Sequence, residues 1–146
     1  VCAGWWWHAR GVLEPTIPVT VAESGQVFTA RLDTGAVVSS INATDVRVLG
    51  SDEPPSPRDV GKLISFVLIN DAGERRELTA RVAQVRGIRS ADCREVRYHV
   101  YLTVEFRGQR YRVLTNLNDR RQAGDMLLLG QNFLAHGFAV AATGAK

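Results

Sequence analysis

Ala30-Arg31-Leu32-Asp33-Thr34-Gly35-Ala36 is an apolar run that delivers an acid onto a Thr-Gly pair. Upstream of the acid, Phe28, Ala30 and Leu32 alternate with Val27, Thr29 and Arg31, the period-two pattern of a half-buried strand. Gly35 follows Asp33 closely, and its missing Cβ permits a tight turn and a close backbone approach. Asp33 is therefore expected at the mouth of a turn, held by a packed strand and ringed by backbone N–H groups. A carboxylate placed this way can do catalytic work. An Asp-Thr-Gly turn can equally just end a strand, and at average residue usage the tripeptide arises by chance in roughly a few per cent of chains this long.

The remaining composition narrows the class. A chain of 146 residues is read as one domain, 1–146, with a Trp-rich N-terminal extension over 1–10 and enough chain for a real core. Hydrophobic content of 45% and charged content of 23% are ordinary for a globular protein. No apolar run reaches the length of a transmembrane helix. The net charge is +3, and Lys occurs only at Lys62 and Lys146. Arg forks suit carboxylates and phosphates, so an acidic substrate fits, although a genome favouring Arg codons explains the bias equally simply. Nucleic-acid binding is not expected, because the charge is modest and no basic run is interleaved with aromatics. Cys2 and Cys93 define neither a disulfide framework nor a metal site; they can pair or stay free. Val1 is not preceded by a basic and apolar leader, so a signal segment is either absent or already removed.

Along the chain, Trp5-Trp6-Trp7 can serve as a membrane-interface foot, a stacking surface or a dimer contact, or simply pack over the barrel. Ile17, Val19 and Val21 alternate, and Glu23-Ser24-Gly25 turns that strand into the Asp33 strand. Val37 to Asn42 reads as a further short strand. Ser51 to Asp59 carries three prolines among Ser and acidic residues and reads as a surface loop, or as a flap if it lies near the site. Leu63 to Ile69 is apolar enough for a strand buried on both faces, and Asp71-Ala72-Gly73 turns it back into Arg75 to Val85. Ile88 to Glu95 reads as polar loop. Tyr98, Val100, Leu102, Val104 and Phe106 form the clearest alternation, and Arg107-Gly108 turns it into Tyr111 to Leu114. Asn116 to Asp125 reads as loop, Met126 to Leu129 as a buried strand ending on Gly130, and Gln131 to His136 as a short helix stopped by Gly137. About eight short strands and one helical turn imply an all-β, closed or nearly closed barrel.

Asp33-Thr34-Gly35-Ala36, followed near the end of the chain by Leu128-Leu129-Gly130-Gln131-Asn132-Phe133-Leu134, resembles the retropepsin family of aspartic proteases. There Asp-Thr-Gly-Ala supplies the catalytic acid, and a hydrophobic-hydrophobic-Gly strand leads into a short helix. Ala30 to Asn42, Arg97 to Val104, Leu117 to Arg120 and Leu127 to Val140 are similar to the bacterial retropepsin-like proteins found with RimK-type glutamate ligases, a family also labelled "ATP-dependent zinc protease". The resemblance runs from about Gly11 to Val140. Three positions depart from it: Gln131 replaces the usual Arg, Val37-Val38 replace the acids that follow the motif in viral members, and Ala141 stands where Asp is frequent.

The resemblance implies a retropepsin-like fold and a peptidase with Asp33 as catalytic acid, supported by Thr34, Gly35 and Ala36. No cofactor is expected. His8, His99 and His136 are scattered, no His-Glu-x-x-His occurs, and no phosphate-cradling Gly-Lys-Ser/Thr loop is present. Ser39 and Ser40 lack a Gly-x-Ser-x-Gly setting. Aspartic proteolysis needs two carboxylates about 3 Å apart sharing one proton. With one Asp-Thr-Gly in the chain, the simplest arrangement is a homodimer pairing Asp33 across a two-fold axis; in a monomer, Asp119 is the first candidate for the second acid. The relatives' association with glutamate ligases implies a peptide or protein substrate, glutamate-rich in the sharpest form, met by Arg86, Arg89, Arg97 and Arg120. The competing reading is a retropepsin-like barrel that binds peptides or assembles without cleaving. The compartment stays open between bacterial cytoplasm and periplasm.

Overall fold

The strand ending at Asp33 is β3, Gln26–Leu32, whose residues alternate strictly between buried and exposed. In the computed structural model, residues 11–89 and 94–141 are described, the side chains at 88, 89 and 94 excepted. Trp5 to Trp7, Cys2, Cys93 and the Arg89 side chain lie outside the described residues. Glu23-Ser24-Gly25 turns β2, Thr16–Val21, into β3 as an antiparallel hairpin, with Gly25 at φ 73°. Ile17, Val19 and Val21 point inward opposite Phe28 and Ala30.

Six strands close a barrel. β3 pairs with β2, β2 with β8 (Arg94–Phe106), and β8 with β9 (Gln109–Asn118), all antiparallel. β9 then runs parallel to β4 (Ser39–Val48), β4 antiparallel to β10 (Leu127–Leu129), and β10 parallel to β3. Closure removes the free edges that an open sheet would expose. The interior is apolar: Phe28, Ala30, Ile41 and Val100 have no exposed surface. Outside the ring, β5 (Leu63–Ile69) adds to β4, β6 (Arg75–Arg81) adds to β5, and β7 (Gln84–Arg89) adds to the first half of β8. The short pair β1 (Val12–Leu13) and β11 (Ala139–Val140) runs parallel at the end of the chain. The short helix α1 (Gln131–Leu134) follows β10 and stops before Gly137 at φ 111°. Its Phe133 stacks on Phe138 at 5.1 Å between ring centroids, with Tyr111 and Phe106 edge-on around the pair.

The expected barrel is present, but its elements differ from the sequence reading in instructive places. β4 starts at Ser39 rather than Val37 and continues to Val48, across a bulge where Asp45 takes φ 54°. Val37, 67% exposed, belongs to the Asp33 loop. The segment 75–85 is two elements, broken at buried Val82, and β7 and β8 extend into the stretch read as polar loop. Their exteriors are Arg-rich, so the pairing is carried by backbone hydrogen bonds with no apolar period to announce it. β9 likewise runs on to Asn118 because it lies between β8 and β4. β5 is buried fully on one face only, with Leu63 41% exposed, since it forms a second layer rather than a barrel stave.

The β5–β6 turn is latched onto the start of β3. Gln26 Nε2 donates to the carbonyls of Leu68 at 3.0 Å and Glu74 at 2.8 Å, and Asn70 Nδ2 donates to the Val27 carbonyl at 3.0 Å. Asp71 accepts from the Thr29 N–H at 2.8 Å, one residue before β10 takes over that edge of β3.

The 51–59 loop ends in a 3-10 turn, Pro57–Asp59, capped by Ser56. Asp59 is 4% exposed and accepts from the Tyr98 hydroxyl, from Lys62 Nζ at 2.9 Å and from the Ser56 N–H at 2.9 Å. This anchoring fixes the end of the loop against β8. The Tyr98 hydrogen bond, ahead of Lys62 and Ser56, holds the Asp59 carboxyl below its ordinary range against the opposing effect of burial. Burial and the adjacent carboxylate push the Tyr98 phenol up to about 12. A group with a depressed folded pKa contributes stability above its unfolded value and loses it in acid. Asp59→Asn is therefore expected to cost about 2 kcal/mol at neutral pH. Thermal melts should show the gap from wild type closing as the pH falls below about 4.

Candidate active site

Asp33 sits where β3 leaves the barrel. Its N–H donates to the Leu129 carbonyl at 2.9 Å, so the parallel pairing with β10 runs right up to the acid. The side chain turns back: Oδ1 accepts from the Gly35 N–H at 2.8 Å. The acid's side chain is 35% exposed, while Thr34, Gly35 and Val37 at the top of the loop are exposed.

The loop is held from below by the turn into α1. Gln131 N–H donates to the Ala36 carbonyl at 2.7 Å and Asn132 N–H to the Val37 carbonyl at 3.2 Å. Gln131 Nε2 adds a bond to the Thr34 carbonyl at 2.8 Å, so the residue that departs from the family pattern still ties helix to loop. Ser39 Oγ accepts from the Gly130 N–H at 3.1 Å and donates to Asn132 Oδ1 at 2.9 Å. Asn132 Nδ2 reaches the Leu114 carbonyl at 2.8 Å. Gly130 lies so close beneath the loop that a Cβ there would stand 2.5 Å from the Ala36 carbonyl oxygen and 2.7 Å from that of Val38. The Asp-Thr-Gly turn and the Leu-Leu-Gly strand are thus two halves of one structure.

Among the described residues, the charged neighbour of Asp33 is Arg31, with Nη2 3.8 Å from Oδ2. Arg31 Nε lies 3.6 Å from Asp125, and Asp125 is bound in turn by Arg120 at 2.9 Å. Arg120, expected on sequence to face substrate, gives its guanidinium to Asp125 and is 11% exposed. Asp119 is exposed and paired with Arg121 at 2.6 Å; that guanidinium holds its carboxyl down to about 2. Among the described residues no ion pair or hydrogen bond joins Asp119 to Asp33. No group of three or more His, Cys, Asp or Glu side chains is placed to hold a metal among the described residues.

The strand register places the expected Arg86 and Arg97 on β7 and β8, several strands away from Arg31. Directly paired residues in a sheet present their side chains on one face. Gln84 pairs with His99, His99 with Asn116, Asn116 with Ser40, Ser40 with Leu128, and Leu128 with Arg31. One row of side chains therefore crosses six strands and ends beside Asp33. Arg86 pairs with Arg97 one step along the same face. Three atoms in the row, Ser40 Oγ, Asn116 Oδ1 and His99 Nδ1, are buried without a hydrogen-bond partner among the described residues. Burial first, then the Arg86 charge, holds the His99 ring below its ordinary pKa, so the imidazole is neutral at pH 7.

Sequence reading missed Arg31, Ser39, Asp125 and Asn132 as members of the site. Asn132 was within the quoted motif, but Arg31 reads only as the polar side of an alternating strand. Asp125 carries no local signal at all, since its partners come from β3 and its own loop.

A closed barrel in which an Asp-Thr-Gly turn is braced by a hydrophobic-hydrophobic-Gly strand defines the retropepsin-like class of acid-protease folds. The family model for RimB-like proteins, "Retropepsin-like aspartic endopeptidase RimB", matches residues 18–144. The chain belongs to this RimB-like family. Among solved structures, it is similar to Lpg0085, a DUF785 protein of unknown function from Legionella pneumophila. That similarity has a TM-score of 0.69 at 18% identity and covers 90% of this chain and 92% of the other. No curated protein matches.

Proposed function

We propose that the protein is an aspartic endopeptidase that acts as a homodimer, with Asp33 of each subunit meeting at the two-fold axis. The observation that carries this reading is the presentation of Asp33: its main chain and Oδ1 are held by hydrogen bonds while the loop around it faces solvent. A second copy approaching this exposed loop along a two-fold axis brings an identical carboxylate to it. Two carboxylates at about 3 Å share one proton. The ionised one takes a proton from water as the water oxygen attacks the scissile carbonyl carbon. The protonated one gives its proton to the carbonyl oxygen. As the resulting diol collapses, the carboxyl that took the water proton gives it to the amine nitrogen, a diol hydroxyl returns a proton to the ionised one, and the C–N bond breaks.

The substrate is a peptide or protein segment, and the exposed Arg86 with the part-exposed Arg97 supports a glutamate-rich one. Capped peptides with a Glu-Glu bond are expected to be cleaved about tenfold faster than Gln-Gln counterparts, with the advantage shrinking in high salt as the arginines are screened. Equal turnover removes the acidic specificity. Sedimentation in parallel should show activity tracking the dimer; cleavage by a strict monomer removes the two-fold arrangement. Binding without cleavage leaves a peptide-binding module.

A further inference from the structure

Three charged side chains stand in line behind Asp33. Arg120 is fixed first: its N–H donates to Asn42 Oδ1 at 2.7 Å, its Nε to the Asp125 carbonyl at 3.0 Å and its Nη2 to Asp125 Oδ2 at 2.9 Å. Asn42 is 2% exposed and anchored by its own N–H to the Met126 carbonyl. Asp125, 13% exposed, is therefore held by one guanidinium through both its main-chain carbonyl and its Oδ2. Its Oδ2 also faces Arg31 Nε at 3.6 Å, and Arg31 Nη2 faces Asp33 Oδ2 at 3.8 Å. The charges alternate from Arg120 through Asp125 and Arg31 to Asp33.

An Arg on the exposed face of a strand ordinarily samples many rotamers, and a lone surface ion pair is worth little. Arg31 differs because its Nε faces a nearly buried carboxylate that Arg120 already fixes. The Asp33 carboxylate then has a neighbour at each oxygen: the Gly35 N–H at Oδ1 and the Arg31 guanidinium at Oδ2. The Gly35 bond fixes one oxygen and the Arg31 charge favours orientations that keep the other beside it, and a shared-proton pair depends on the plane of that carboxylate.

We propose that Arg31 is a positioning residue for the Asp33 carboxylate and that Asp125 acts through it. The proposal rests on the peptidase reading of Asp33. Arg31→Met in the full chain is expected to lower kcat about tenfold with KM within about twofold, because the loss lies in alignment rather than substrate binding. Arg31→Lys keeps the charge and should recover part of the loss. Asp125→Asn keeps an acceptor for Arg120 and should shift kcat the same way. Added to Arg31→Met it should cost almost nothing more, since the two act in series.

A probe independent of peptide turnover is an aryl glycidyl ether. An Asp33 oxygen opens the epoxide, an ester C–O bond forms, the ring C–O bond breaks, and the ring oxygen takes a proton from water. Mass spectrometry should find Asp33 labelled about tenfold more slowly in Arg31→Met than in wild type. Equal labelling and equal kcat in the two proteins overturn the role of Arg31 while leaving the peptidase reading intact. So does a melting temperature that falls in step with kcat in every variant, Lys included. Wild type that neither cleaves peptides nor labels at Asp33 overturns the peptidase reading and this proposal together.

Discussion

Asp33→Asn is expected to lower peptide hydrolysis about a thousandfold or more while leaving the barrel folded. Replacing a group that moves protons in the transition state costs up to roughly four orders of magnitude, and an amide can neither accept the water's proton nor share one with its partner. The structural cost is small for reasons of geometry. Asn keeps an oxygen to accept from the Gly35 N–H, and the backbone bonds from Asp33 to Leu129 and from Ala36 to Asp33 do not involve the side chain. The substitution removes one ion pair, to Arg31 at 3.8 Å; that Arg is half exposed, and such a pair is worth about 0.5 kcal/mol. Circular dichroism and the melting temperature should therefore stay near wild type while the rate collapses. Full activity in this variant removes Asp33 from the mechanism.

Gly130→Ala is expected to do the reverse, damaging the fold and the site together. Gly130 has φ −98° and ψ −161°, a conformation open to any residue, so backbone freedom is not what requires glycine there. Space is. The added Cβ meets the carbonyl oxygens of Ala36 and Val38 at 2.5 and 2.7 Å, and both belong to main chain rather than to flexible side-chain ends. Relief demands that the Asp33 loop lift away, which strains the bonds from Gln131 and Asn132 to the Ala36 and Val37 carbonyls. Overpacking of this kind costs about 3 kcal/mol, or roughly 6–12 °C in melting temperature for a chain of this size. Retained activity should be low even well below the melting point, because the displaced loop carries Asp33. Gly137→Ala makes the comparison: nothing lies within 4 Å of its Cβ, and the penalty there comes from φ 111° alone.

The parts of the protein legible in its sequence are those with strong local signals. Alternation in β2, β3 and the second half of β8 matches observed burial because those strands have one face in the barrel. The Asp33 turn and the Leu128-Leu129-Gly130 run are legible as separate features. The departures fall where the apolar period is weak: β7 has none, and at the far end of β9 the buried positions Val113, Thr115 and Leu117 include a Thr and alternate with Asn116 and Asn118.

The candidate site divides the same way. Asp33, Thr34 and Gly35 are adjacent in the chain, so one motif brings them together. The brace beneath them is not: Ser39, Asn132 and Leu114 meet only because β4, α1 and β9 converge there. Arg120 shows the consequence. Its sequence context gives a cation beside an acid, Asp119, but the fold hands Asp119 to Arg121 and turns Arg120 inward to Asp125.

By itself, then, the sequence determined that this chain closes a β-barrel around an Asp-Thr-Gly turn, because hydrophobic period and glycine placement act locally. Only the tertiary structure decided which charges attend the acid. Ion pairs form between residues that the strand register brings side by side, and register is a property of the closed barrel rather than of any stretch of chain.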